Sequence, residues 1–315
     1  MTVARVYTRG PVTIDTVTLG GITNQNIGNS STFSNLNTHG EVRNRFVGLT
    51  GAVPSASFST LSVAAALTIT GALPYDMSTD ADEGIAAVAM YGVLKTQGGG
   101  RTLASVNKSY TMANGIMVPT TLQVDHQGDA ELSYALFPIS SDGIIEPIIS
   151  AEAATVPAAA ETVERFTLGS VSIGGVTLTQ VRSLSIDFGI TVNQIGADSD
   201  IFPSFAYDDS RMPSLTLSGI DLDWFKAAAA IDLQGLAGTI VNTIIYLRKR
   251  SGTISGGFVA DATAEHIKIQ SAGITTIESA MDASGDSDGT YSIRLSPFFD
   301  GTNETLLIAP ASAIT

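Results

Sequence analysis

The sequence predicts a mainly β protein built as two tandem, duplicated β-sandwich or barrel domains, each with a short flanking helix. Three observations carry this: short alternating segments rich in Val, Ile and Thr, glycine-bearing turns between them, and a string of motifs met twice in the same order. The chain has 315 residues, 31 of them Gly and 11 Pro. Hydrophobic residues make up 44%, enough for buried cores and too many for a disordered chain.

The repeat is clearest where residues 13–23 (TIDTVTLGGIT) face residues 167–177 (TLGSVSIGGVT) at an offset of 154. Ten of the eleven positions are identical or chemically alike. Weaker matches follow in order. Pro54-Ser55 faces Pro213-Ser214, and Gly115-Ile116 faces Gly273-Ile274. The strand 132–138 faces 291–297, and Asp142-Gly143 faces Asp300-Gly301, at offsets of 158 to 159. Duplication followed by loop insertions leaves such drift. Residues 151–162 (AEAATVPAAAET) are small and carry no periodic apolar face, so they read as the link between copies. The division expected is 1–152, a linker at 153–163, and 164–315.

Each copy opens on a β-branched strand that meets Gly20-Gly21 or Gly174-Gly175, read as a two-residue hairpin turn. A second strand is expected over 22–33 and 176–188. Polar, irregular stretches follow at 34–51 and 189–211. Segments of that length in a compact domain are usually functional or disordered. A Pro-Ser strand comes next, then a short helix at 60–67 and 221–230, the latter with Asp221 as N-cap and four consecutive Ala. Strands are expected again at 86–94, 117–124, 131–137 and 144–149, with counterparts at 239–247, 274–281, 290–295 and 305–308.

The chemistry-bearing residues form no catalytic constellation. There is no Cys, and His39, His126 and His266 have no helical spacing for a zinc pair. No nucleophile elbow or phosphate loop occurs. Gly98-Gly99-Gly100-Arg101 reads as a hairpin tip rather than an anion nest, and residues 125–129 (DHQGD) as a polar turn. The acidic run 282–289 resembles part of a calcium loop, with Asp282, Asp286 and Asp288 as the candidate ligands. It lacks the closing Glu, and a solvated turn is the favoured reading. Neither enzyme activity nor a cofactor is expected.

The net charge is −14, with 7 basic and 12 acidic residues in the first copy and 9 and 18 in the second. That argues against a nucleic-acid binder, which would carry a basic stripe. The basic cluster, Arg248, Lys249 and Arg250, reads either as an assembly contact for carboxylates of a neighbouring copy or as a strand end with solvated charges, and in both cases not as a nucleic-acid site. The longest apolar stretches fall well short of a membrane span, and the N-terminus has no signal-peptide core, so a protein made in the cytoplasm is expected.

The order strand, Gly-Gly, strand, long loop, Pro-Ser strand and short helix, closing on strands with Asp-Gly turns, resembles the tail tube proteins of tailed bacteriophages. The resemblance covers most of both copies and is one of pattern. It implies a structural virion protein without enzyme activity. Three two-domain chains would form a pseudo-hexameric ring, and rings would stack into a tube. The partners implied are further copies, other tail proteins, and genome DNA passing through without specific binding. The long loops would bridge rings, making Asn37, Glu41, Arg43, Arg45, Asn193, Asp198 and Asp200 assembly candidates. Other tail or capsid components (a terminator, a distal ring protein, a tandem jelly-roll capsid protein) and a two-domain adhesin are the alternatives. The lumen is expected to be lined by Asp, Glu, Ser, Thr and Asn.

Overall fold

A computed structural model describes residues 5–36, 46–77, 87–96, 100–101, 106–158, 163–220, 241–252, 257–282, 289–299, 301–302 and 304–315. The first half contributes β1 (Tyr7–Ile14), β2 (Val17–Leu19), β3 (Ile22–Leu36), β4 (Phe46–Thr60), α1 (Val63–Thr70), β5 (Tyr75–Met77), β6 (Val88–Leu94), β7 (Asn107–Met112), β8 (Gly115–Asp125), β9 (Glu131–Pro138) and β10 (Ile148–Ala154). They form two antiparallel sheets, ordered β10-β7-β6-β1-β2 and β3-β4-β9-β8, with β5 added to the start of β8.

Alternation explains why these segments pair face to face. Along β9, Leu132, Tyr134 and Leu136 point inward and are buried, while Glu131, Ser133 and Ala135 alternate with them on the other face. From the opposite sheet, Val12, Ile14, Met90 and Met112 are fully buried in the same core. Phe58 stacks on Tyr134 with ring centroids 5.1 Å apart. Burial pushes the Tyr134 phenol pKa up, and its hydroxyl pairs with Thr70 of α1 at 2.8 Å. The helix thereby packs against the core, burying Val63, Ala66 and Leu67.

The second half contributes β11 (Phe166–Ile173), β12 (Val176–Leu178), β13 (Val181–Asp187), β14 (Ile190–Ile195), β15 (Phe205–Arg211), β16 (Ser214–Gly219), β17 (Val241–Lys249), β18 (His266–Asp282), β19 (Thr290–Pro297) and β20 (Leu307–Ser312). Its strand orders are β20-β18-β17-β11-β12 and β13-β16-β19-β18. The 17-residue β18 serves both sheets, pairing with β17 and β20 along its first part and with β19 along its last. These orders match those of the first half strand for strand. The registers match too. Ile14 opposes Val17 as Ile173 opposes Val176, and Gly115 opposes Pro138 as Ile274 opposes Pro297. All are separated by 159 residues.

The two halves share a sheet. β8 pairs antiparallel with β13, from Asp125 opposite Ser183 to Thr121 opposite Asp187. The ladder is extended at its ends by His126 N–H to the Arg182 carbonyl (2.7 Å) and Phe188 N–H to the Thr120 carbonyl (3.0 Å). A single sheet therefore runs β3-β4-β9-β8-β13-β16-β19-β18 across the molecule.

Several expectations are corrected. Gly20-Gly21 does not turn a hairpin. The turn is Asp15-Thr16, with Asp15 at φ 53°, and Gly20-Gly21 carries the chain from one sheet to the other. The Gly20 carbonyl there accepts from the Thr60 and Ser62 hydroxyls. Gly174-Gly175, at φ 60° and 82°, does turn the β11–β12 hairpin. The 154-residue match thus sets a crossing against a turn, five residues away from the 159 that separate β1 from β11 and β2 from β12. The helix spans Val63–Thr70 instead of 60–67, because Thr60 is still in β4. The segment 176–188 is two strands. The strand expected at 144–149 begins at Ile148 and continues through Ala154 into the expected linker, and that expected at 305–308 begins at Leu307. The described parts of 34–51 are strand, where β3 and β4 pair antiparallel, and 189–211 is largely strand, where β14 and β15 form a hairpin; residues 37–45 lie outside the described residues. The helix expected at 221–230 lies outside the described residues.

The β14–β15 hairpin is fastened to the first half. Gln194 Nε2 donates to the Pro138 carbonyl (2.8 Å), Ser140 N–H to the Pro203 carbonyl (2.7 Å), and Ala52 N–H to the Ile201 carbonyl (2.7 Å). Ile201 and Phe202 N–H both donate to the Gly143 carbonyl. Gly143 sits at φ 76°, and a Cβ there would lie 1.9 Å from Asp200 Oδ1. Gly143→Ala is therefore expected to cost about 1–2 kcal/mol from the left-handed backbone alone, and to push Asp200 aside. Thermal denaturation checks this, and an unchanged midpoint would contradict it.

Candidate functional site: a hydroxyl-lined sheet face

One face of the continuous sheet is apolar and buried. The other repeats short polar side chains across both halves. On β3 it presents Asn24 and Asn26, on β4 Ser55, Ser57 and Ser59, and on β9 Ser133. Across the joint it continues through Thr121 and Gln123 to Ser183 and Ser185, then Thr216 and Ser218, then Ser292. Strand alternation places them there, because most alternate with buried residues: Leu122 and Val124, Leu184 and Ile186, Leu215 and Leu217, Tyr291 and Ile293.

The hydroxyls hold one another. Ser59 and Ser133 are 2.9 Å apart, Ser183 and Ser218 are 2.5 Å apart, and Thr120 donates to the Ser133 carbonyl at 3.1 Å. Charge enters the face at Glu131, Asp125, Asp187 and Arg294. Thr23 donates to Glu131. A surface of short hydroxyls and amides offers weak, interchangeable hydrogen bonds and no cation cluster. A polyanion lying against it releases no counterions and gains little affinity.

The basic cluster is neutralised inside the chain. Arg248 pairs with Asp261 at 2.8 Å and lies over the Phe258 ring, 4.6 Å from its centroid. Lys249 reaches Glu164 (2.5 Å) and Glu265 (2.7 Å). Arg250 crosses the joint to Asp129 at 3.0 Å, so of the three it alone meets a carboxylate of the other half. Arg248 also lines a cavity of about 630 Å³ with His126, Arg182, Phe258 and Asp261. Residues 125–129 form a turn, with Gly128 N–H on the Asp125 carbonyl.

Asn193 opposes Tyr207 within the β14–β15 hairpin, and Asp198 lies in its connecting loop. Asp200 organises that loop by accepting from the Ser204 hydroxyl and Ala197 N–H, each at 2.6 Å. These bonds hold its carboxyl below the usual carboxylate range. Asp142, across the contact, is held low by the Ile145 and Ile144 N–H groups. Both lowered values mean stability present above the unfolded-state pKa of about 4 and lost as pH falls through the folded-state values. Amide exchange at Ile144, Ile145 and Ala197 is expected to accelerate in that acidic range. Rates insensitive to pH, after correction for intrinsic exchange, would contradict this.

Asn37, Glu41, Arg43 and Arg45 lie outside the described residues, as do Asp286 and Asp288. The backbone of Asp282 ends β18. Among the described residues no group of three or more His, Asp or Glu side chains comes together as metal ligands, and no helix is long and apolar enough to cross a membrane. The hydroxyl face was missed as a site in the sequence. The serines at alternate positions of 55–59 and 183–185 were its visible signal.

No family model matches this chain, and no curated protein matches it.

Proposed function

We propose that the chain is a structural protein that joins head to tail into closed rings, and that the rings stack as a tail tube of a bacteriophage virion, through which DNA passes. The observation that carries this reading is the β8–β13 joint. It links two units of equal strand order through unlike edges, β8 of one and β13 of the other, and among the described residues it leaves β3 and the last part of β18 (residues 280–282) with a strand on one side only. A heterologous contact of this kind repeats until it closes into a ring or runs on as a filament. The matching orders and the 159-residue spacing support an internal duplication, so that three chains supply six equivalent places.

The hydroxyl face supports a bore that DNA can slide along, and the net charge of −14 adds repulsion. Exposed Ile195, Phe205 and Tyr207 on the β14–β15 hairpin, with Ile144 and Ile145 on the loop it grips, support contacts to the next ring and to other tail proteins. Light scattering and negative-stain images of concentrated protein test the reading. Trimers, rings and stacked rings are expected. Monomers alone at high concentration would overturn it.

A further inference from the structure

Among the described residues, β3 and the last part of β18 have a strand on one side only, and they differ from the joint in what fills the other. At the joint, Leu184 and Ile186 of β13 are buried because β8 lies alongside, with Leu122 and Val124 opposite Ile186 and Leu184. In the first half the same places, 159 residues earlier, belong to Gln25 and Ile27 of β3. Among the described residues no strand lies beyond β3. Ile27 is only half-buried there, and Gln25 Nε2 is buried without a hydrogen-bond partner. A cleft of about 380 Å³ opens beside them, lined also by Tyr7, Tyr91, Lys108 and Tyr110.

The other end offers the matching edge. Residues 280–282 of β18 pair with β19 on one side and with no described strand on the other. Their register to β19 repeats that of β8 to β9: Met281 opposes Tyr291 as Leu122 opposes Leu132. Met281 therefore holds on β18 the position that Leu122 holds on β8.

Resting on the head-to-tail reading above, we infer that β18 of one chain docks antiparallel on β3 of a second copy, closing the cleft and repeating the internal joint. The register follows by transfer: Asp282 opposite Asn26, Met281 opposite Ile27, Ala280 opposite Gly28. Backbone hydrogen bonds supply the edge contact, and the half-buried Ile27 supplies the apolar contact.

The chain has no Cys, so one introduced pair reports this contact alone. Opposed residues of antiparallel strands lie within disulfide reach. Asn26→Cys combined with Asp282→Cys is expected, on mild oxidation, to give covalent dimers and trimers on a non-reducing gel, all reversed by reductant. Asn26→Cys with Ala280→Cys, two residues out of register, is expected to cross-link far less. Equal cross-linking of both pairs would overturn the register. Rings in micrographs with no cross-link at 26/282 would overturn this joint and leave the ring reading standing. Absence of both rings and cross-links would overturn the two together. Met281→Asp is expected to keep the β circular dichroism spectrum and lose rings. Rings that persist in that variant would overturn the docking.

Discussion

Leu122→Ala is expected to lower the unfolding free energy by about 2–5 kcal/mol. Leu122 is fully buried and lies in β8, the strand that belongs to two pairings at once. Opposite it are Leu132 within its own half and Ile186 across the joint, both also fully buried. Truncation removes apolar area and leaves a void that neither half can collapse to fill, since the strands on both sides are fixed by ladder hydrogen bonds. The buried cluster around it runs without a break from Val12 to Leu306, so the loss is expected in one cooperative urea transition. Gln123→Ala, one residue along on the exposed face, is expected to change stability by less than about 0.5 kcal/mol. Two transitions in the Leu122→Ala protein, one at the wild-type midpoint, would show that the halves unfold separately and that the joint contributes little.

Placing three arginines on the hydroxyl face is expected to turn a non-binder into a salt-sensitive DNA binder. Ser55, Gln123 and Ser292 are exposed, lie on different strands and sit between buried residues, so Ser55→Arg, Gln123→Arg and Ser292→Arg leave the core alone. The unaltered protein is expected to show no binding to a short duplex at low salt. Three phosphate contacts in the triple variant carry a slope of about −2.7 in log affinity against log salt, or about a 40-fold loss between 50 and 200 mM. Fluorescence anisotropy of a labelled duplex reads both. Tight binding by the unaltered protein would overturn the view that this face passes DNA without holding it. A triple variant that folds and still ignores DNA would show that the face is not open to a duplex.

Much of the local structure was legible in the residues. The alternation of Leu132, Tyr134 and Leu136 with polar neighbours names a strand and also its inward face. Gly174-Gly175 names a hairpin turn, because two consecutive residues at positive φ exclude most side chains. The polar stretch at 189–211 was misread for a related reason. The β14–β15 hairpin has no fully buried residue, and its apolar alternation is short (Ile190 and Val192, Phe205 and Tyr207) before the polar run Asp208-Asp209-Ser210-Arg211, so it reads as a loop.

The tertiary structure alone decided which strands became neighbours. Gly20-Gly21 looks like Gly174-Gly175, yet one crosses between sheets and the other turns within one. The difference lies in the partners of the following strand, β4 for β3 and β11 for β12. The joint was equally hidden. Residues 121–125 and 183–187 each alternate buried and polar side chains, and this says that each strand has a core face without saying what lies at its edge. Side-chain pattern is set by the two faces of a sheet, whereas edge pairing uses backbone groups that every residue carries. The sequence by itself determined a mainly β protein whose strands alternate buried and polar side chains. That its two halves join edge to edge through β8 and β13 was decided by long-range backbone pairing, which leaves no periodic mark on the residues that make it.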